Sequence, residues 1–268
     1  HIMSFSIAGK TAIVTGAANG IGRAIGRHFA DQGANVMFAD MDDKALAEEF
    51  GEQDDDSNTR YFSGDLREKL TIANLLSATI DAFDQIDILV NASRQMIPSD
   101  PLNHDDTSVE TLLSQNLMTS LRLSQAVANR MIKQAADKTE GQAGSIINLS
   151  SIAARRTTPD LLAYSVSTAA LDQMTRSLGV ALAPHRIRVN AIAFGSVMSA
   201  SLQETLKENS DYRDDIESHT PLHRIAGPGE LVDAAQFLAS DGSGFMTGQI
   251  MTVDGGRTLI DPVASPAH

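Results

Sequence analysis

The chain is 268 residues long and carries 21 basic and 34 acidic side chains, a formal net charge of −13. This acidity argues against a surface that tracks phosphate backbones or anionic lipid, so neither nucleic acid nor a membrane is an expected partner. The absence of cysteine excludes disulfides, thiolate metal sites and cysteine nucleophiles and fits a reducing cytoplasm, and there is no run of about 18 apolar residues to suit a membrane span.

Short apolar runs rich in Val and Ile alternate with longer segments of helical period. After His1 and Ile2, read as a cloning remnant ahead of Met3, the runs are TAIVTG (11–16), ANVMFAD (34–40), a weaker TRYFSGD (59–65), IDILVNA (86–92), GSIINLS (144–150), IRVNAIA (187–193) and QIMTVDG (249–255). Continuous runs of this kind suit strands covered on both faces, as in a parallel sheet. Helices are expected near 20–32, 42–50, 67–83, 109–136, 160–183, 201–217 and 229–240. The alternation predicts one α/β domain over 3–260: a single Rossmann-type, doubly wound parallel sheet of about seven strands with helices on both faces, then a tail over 261–268. Ligands of such sheets bind beyond the carboxyl ends of the strands, so the residues just after each run matter most.

The first strand runs into TGAANGIG (15–22) and a helix. Gly16, Gly20 and Gly22 let the backbone turn sharply and approach a ligand with no Cβ in the way, and the helix start at Ile21 offers N–H groups to a pyrophosphate. The second strand ends at Asp40, where an acid accepts hydrogen bonds from both hydroxyls of an adenosine ribose and repels a 2′-phosphate. Asn19 supplies no basic side chain for an extra phosphate. NAD is therefore expected over NADP. The histidines His104, His185, His219 and His223 are scattered, and no metal site is expected.

Further on, YSVSTAAL (164–171), read as a helix, puts Tyr164 and Thr168 on one face, one turn apart. Neither hydroxyl has a cation in this stretch to favour its ionised form.

With these residues in view, nearly the whole chain resembles the classical short-chain dehydrogenase/reductases. The resemblance is carried by TGAANGIG, GDL (64–66), VNAS (90–93), INLSS (147–151), Tyr164, RVNAIAFG (188–195) and GQIMTVDGG (248–256). It implies that Asp65 and Leu66 lie at the adenine and that Asn91, Ala92 and Ser93 lie along the cofactor. Gly195, Val197 and Ser199 would hold the nicotinamide. It also implies Tyr164 as general acid or base, Ser151, thirteen residues earlier, as the group orienting the substrate oxygen, and Asn116 as a member of the proton relay. Residues 197–228 resemble the substrate flap, with Met198 and Leu202 as candidates facing the pocket. A homodimer or homotetramer acting on a small alcohol or carbonyl compound follows from the same resemblance.

The departures gather at one end. Thr168 stands where the family has a Lys, whose ammonium would favour the phenolate of Tyr164 and hold the nicotinamide ribose. Ser93 stands at the expected Gly, Arg94 follows it, and Phe194 replaces the usual Pro. Impaired or atypical catalysis is expected. Arg94, Arg155 or Arg156 are candidates for the missing positive field, and Arg94 in the pocket would suit an acidic substrate group. Two other readings stay open: a weakly active or inactive NAD-binding homologue serving as sensor or partner subunit, and an enzyme resembling the 3-oxoacyl carrier-protein reductases, against whose usual NADP preference Asp40 weighs.

Overall fold

In a computed structural model that describes residues 4–52 and 54–266, seven parallel strands form one sheet in the order β3-β2-β1-β4-β5-β6-β7. The strands are β1 (Thr11–Thr15), β2 (Asn35–Asp40), β3 (Thr59–Ser63), β4 (Ile88–Asn91), β5 (Gly144–Ser151), β6 (Ile187–Phe194) and β7 (Ile250–Val253). All seven expected strands are present, and the weak run at 59–65 forms the half-exposed edge. His1, Ile2 and Met3, and the last two residues of the expected tail, lie outside the described residues.

Successive side chains of a strand point to opposite faces, so a run apolar throughout builds two cores. On one face Val14, Val36, Phe38, Val90, Ile147 and Ile192 pack under α1 (Gly20–Asp31), α2 (Asp43–Phe50) and, later in the chain, residues 228–239. On the other face Ile13, Met37, Leu89, Ile146 and Val189 pack under α3 (Lys69–Phe83) and under the long helical segments that follow β4 and β5.

Two expected helices are interrupted. The segment expected at 109–136 is α4 (Ser108–Leu112), a wider π-helical stretch at Leu113–Met118, and α5 (Thr119–Gln134). The extra residue per turn in the π stretch re-aims the side chains beside Asn116, a device frequent at functional sites. After α6 (Leu162–Leu182), the segment expected at 201–217 divides into α7 (Ala200–Glu208) and α8 (Ser210–Ser218). The break is at Asn209, whose φ of −130° and ψ of 83° leave the helical region. The final helix α9 is Pro228–Ala239. Among the described residues no helix is long and apolar enough to cross a membrane.

Candidate active site

An open cleft lies over the carboxyl ends of β1, β2 and β4, where the chain leaves one half of the sheet for the other. Gly16, Asp40, Met41, Asp65, Leu66, Arg67, Ser93, Arg94, Asn116 and Thr119 are among its lining residues. Gly16 has φ +61°, and a Cβ there would lie 2.8 Å from the Ala92 carbonyl oxygen and the Ser93 backbone. Gly22 lies against the carbonyl of Gly16, so the loop and the start of α1 are close-packed. Asn19, at the N-cap of α1, makes no side-chain capping bond, leaving the helix start to a ligand rather than to the chain itself. Ile21 packs partly into the core behind it.

At the end of β2, Asp40 is fixed by two backbone donors: Ala18 N–H reaches Oδ2 and Asp42 N–H reaches Oδ1, both at 3.0 Å. A carboxylate retains further acceptor capacity after two bonds, so Asp40 presents a placed negative group to the cleft. These features fit a dinucleotide: a tight glycine turn, an uncapped helix start and an acid at the second strand. Asp65 lines the same cleft. Arg67 grips its carboxylate through Nε at 2.9 Å and a terminal nitrogen at 2.7 Å, and these bonds hold the Asp65 carboxyl below the usual range. Leu66 is buried beside it.

The end of β4 is tied to β1 by Thr15, a residue that the motif reading passed over. Its Oγ1 accepts from Ala92 N–H at 3.0 Å and Ser93 N–H at 3.1 Å. The signal was a hydroxyl at the carboxyl end of the strand, immediately before Gly16. Asn91 serves the interior: its amide donates to Ser124 Oγ at 3.1 Å and Asn148 Oδ1 at 2.9 Å, and Asn148 donates to Thr175 Oγ1 at 3.0 Å. This buried brace joins β4 and β5 to α5 and α6 and fixes the end of β4.

Tyr164 lies on the first turn of α6 and is 4% exposed, packed with Leu112 and Ala163. A nitrogen of the Arg94 guanidinium donates to its phenolic oxygen at 2.5 Å. The guanidinium carbon stands 4.3 Å from the ring centroid of Phe194, at the end of β6, a cation–π distance. Thr168, one turn along α6, gives nothing to the phenol. Its hydroxyl donates back to the carbonyls of Tyr164 at 2.9 Å and Ser165 at 3.2 Å, the usual habit of a buried helical threonine. Asn116 likewise spends its side chain on the main chain: Nδ2 donates to Gln95 O and Oδ1 accepts from Gln95 N–H, both at 2.8 Å. It pins the segment that carries Arg94.

Ser151 ends β5, 7% exposed, in register with Phe194 of β6, and its Oγ accepts from Ala153 N–H at 3.1 Å. Of the other arginines, Arg155 donates to Thr252 Oγ1 at 2.5 Å and Arg156 to the carbonyls of Arg155 and Thr258. Gly195 packs beside Ile152. Val197 is buried and bridges Ala226, while Met198 N–H bonds the Ala226 carbonyl at 2.8 Å. Ser199 caps α7 by accepting from Leu202 N–H at 3.1 Å. These residues anchor the flap, and Met198 and Leu202 are half-buried along it. Deeper on α6, burial pushes the Asp172 carboxyl up, against the pull of Ser150, Arg176 and Arg155.

A cleft at the switch point of a doubly wound sheet is where such folds bind ligands, and Arg94 in its lining bonds the phenol of Tyr164. Residues 16–258 match the sequence family described as enoyl-(acyl carrier protein) reductase. L-fucose dehydrogenase of Mus musculus is 33% identical over 258 residues, covering 94% of this chain and 89% of that protein. The 3-oxoacyl-[acyl-carrier-protein] reductase of Chlamydia trachomatis is 31% identical over 264 residues, covering 95% and 99%. Among solved structures, a gluconate 5-dehydrogenase from Burkholderia cenocepacia in complex with NADP and tartrate has a TM-score of 0.84 at 28% identity, covering 96% of this chain and 98% of that one. A 7α-hydroxysteroid dehydrogenase complexed with NADH and 7-oxo glycochenodeoxycholic acid has a TM-score of 0.83 at 29% identity, covering 94% and 96%. The chain belongs to the short-chain dehydrogenase/reductase family, and these relatives are oxidoreductases.

Proposed function

We propose that this protein is an NAD-dependent oxidoreductase that moves a hydride between nicotinamide and a secondary alcohol or ketone. The observation that carries the reading is one continuous line of residues. The cleft runs from Asp40 past Gly16 and Ser93 to Arg94, and Arg94 bonds the phenol of Tyr164.

Bound along this cleft, the cofactor supplies the hydride acceptor or donor. The chain does the rest. Asp40 takes the ribose hydroxyls, and its fixed charge opposes a 2′-phosphate. Tyr164 removes the hydroxyl proton of an alcohol, or returns a proton to the oxygen of a ketone, and Ser151 holds that oxygen in place. Leu112 and Ala163 pack against Tyr164 and hold its ring in place. Catalysis is atypical because position 168 carries a neutral hydroxyl turned into its own helix.

A panel of secondary alcohols with NAD, and of ketones with NADH, each repeated with the phosphorylated cofactor, tests the proposal. Turnover with the unphosphorylated cofactor, at a higher kcat/KM than with its phosphorylated form, is expected. Calorimetric binding of NAD without turnover of any member would favour the reading as a sensor or partner subunit instead.

A further inference from the structure

We propose that Arg94 is the cation of this proton-transfer site, reaching from the end of β4 to the phenol that position 168 leaves without one, with Phe194 as its platform. The proposal rests on the reading of Tyr164 as acid or base. Arg94 is held at its tip by the bond to Tyr164 at 2.5 Å and on its flat side by the Phe194 ring, 4.3 Å from the guanidinium carbon. The backbone on either side is fixed as well. Ser93 N–H is bound by Thr15 Oγ1 at 3.1 Å, and both backbone groups of Gln95 are bound by Asn116 at 2.8 Å. An arginine in solvent on a loose loop has none of these restraints. Two departures from the family pattern, Arg94 and Phe194, meet beside the phenol, and a third, Thr168, turns away from it into its own helix.

The chemistry asks for a positive group at that oxygen. When an alcohol is oxidised, its O–H bond breaks and the proton passes to Tyr164 Oη. The electron pair of the adjacent C–H bond leaves as hydride to the nicotinamide, and the C=O bond forms. Before the transfer the negative charge sits on Tyr164 Oη, and in the reverse direction it develops there. An N–H of Arg94 aimed at that atom makes a charge-assisted bond that strengthens as the charge appears. Arginine does not give up its own proton under working conditions, so the proton accepted by Tyr164 leaves to water and Arg94 serves only as a fixed charge.

The test compares the natural protein with Arg94→Met, Arg94→Lys and the double variant Arg94→Met with Thr168→Lys. Methionine keeps an apolar stem over Phe194 and removes the charge. The expected result for Arg94→Met is a kcat lower by about a hundredfold, with calorimetric affinity for NAD little changed and the kcat/KM profile displaced towards higher pH. Arg94→Lys should recover part of the rate, and adding Thr168→Lys to Arg94→Met should restore about tenfold or more. A readout without cofactor is available because the chain has 3 tyrosines and no tryptophan. At one alkaline pH, Arg94→Met should show less near-ultraviolet phenolate absorbance than the natural protein, a difference that Tyr164→Phe abolishes. Unchanged rate and unchanged absorbance would overturn the role of Arg94 while leaving the oxidoreductase reading standing. A faster Arg94→Met would overturn it too, by showing that the side chain obstructs the cleft. If the natural protein turns over nothing, the oxidoreductase reading fails and the absorbance alone decides whether Arg94 is the cation.

Discussion

In the proposed reading the charge of Asp40 sets cofactor choice, and its carboxylate is held in place by the backbone of Ala18 and Asp42. A second negative group brought against it costs binding energy that a neutral side chain does not. Asp40→Asn should therefore raise the NADP-to-NAD ratio of kcat/KM by about tenfold or more, measured with both cofactors on one substrate. An unchanged ratio would show that the ribose lies elsewhere. Asp40 was legible in the sequence because it closes an apolar run at the right distance from the glycine loop. Arg94 was legible as one of three arginines that could supply the missing charge, but its selection over Arg155 and Arg156 and its stacking on Phe194 were not. Arg94 follows β4 and Phe194 ends β6, strands separated in the sheet by β5, and no local spacing reports a side chain that reaches across an intervening strand. Thr168 was visible as a departure, but its turn towards the carbonyls of its own helix is a rotamer choice that a sequence pattern does not carry.

The ends of β1 and β4 act as one element through Thr15. Replacing it by Val keeps shape and β-branching while leaving the N–H groups of Ala92 and Ser93 without their acceptor. A stability loss of about 1–3 kcal/mol follows, read as a lower midpoint in chemical denaturation. A fall in turnover should accompany it, because Ser93 leads into Arg94. An unchanged midpoint would mean that water replaces the hydroxyl without cost. At this scale the strands were legible to within a residue or two, since buried parallel strands are apolar throughout. The π stretch at Leu113–Met118 was hidden, because apolar periodicity over the longer segment registers a buried face and not one extra residue in a turn. Asn116 lies in this stretch, and its amide holds both backbone groups of Gln95, a partner that the sequence pattern did not indicate.

Across the whole molecule, the strand order brings β1 beside β4 and opens the cleft between them. Below that cleft, at the opposite end of the sheet, Asp87 accepts from Thr11 N–H at 2.8 Å and Gln85 Nε2 at 2.9 Å. Burial nevertheless pushes its carboxyl above the ordinary carboxylate range. The ionised form is thus the costly one in the fold. That cost is fully present above the folded-state value and vanishes as pH falls below the unfolded one. Asp87→Asn should raise Tm at neutral pH, with the gain shrinking as the solution is acidified. A lower Tm at neutral pH would show that the two carboxylate bonds outweigh burial.

The account as a whole turns on the phenol at the end of the cleft. Its most direct test is the rate of NADH formation by the natural protein and by Tyr164→Phe on the same secondary alcohol, with NAD binding measured on both by calorimetry. Equal affinity for NAD with a rate lower by about a hundredfold or more in the variant is the predicted result. Equal rates in the two proteins would contradict it.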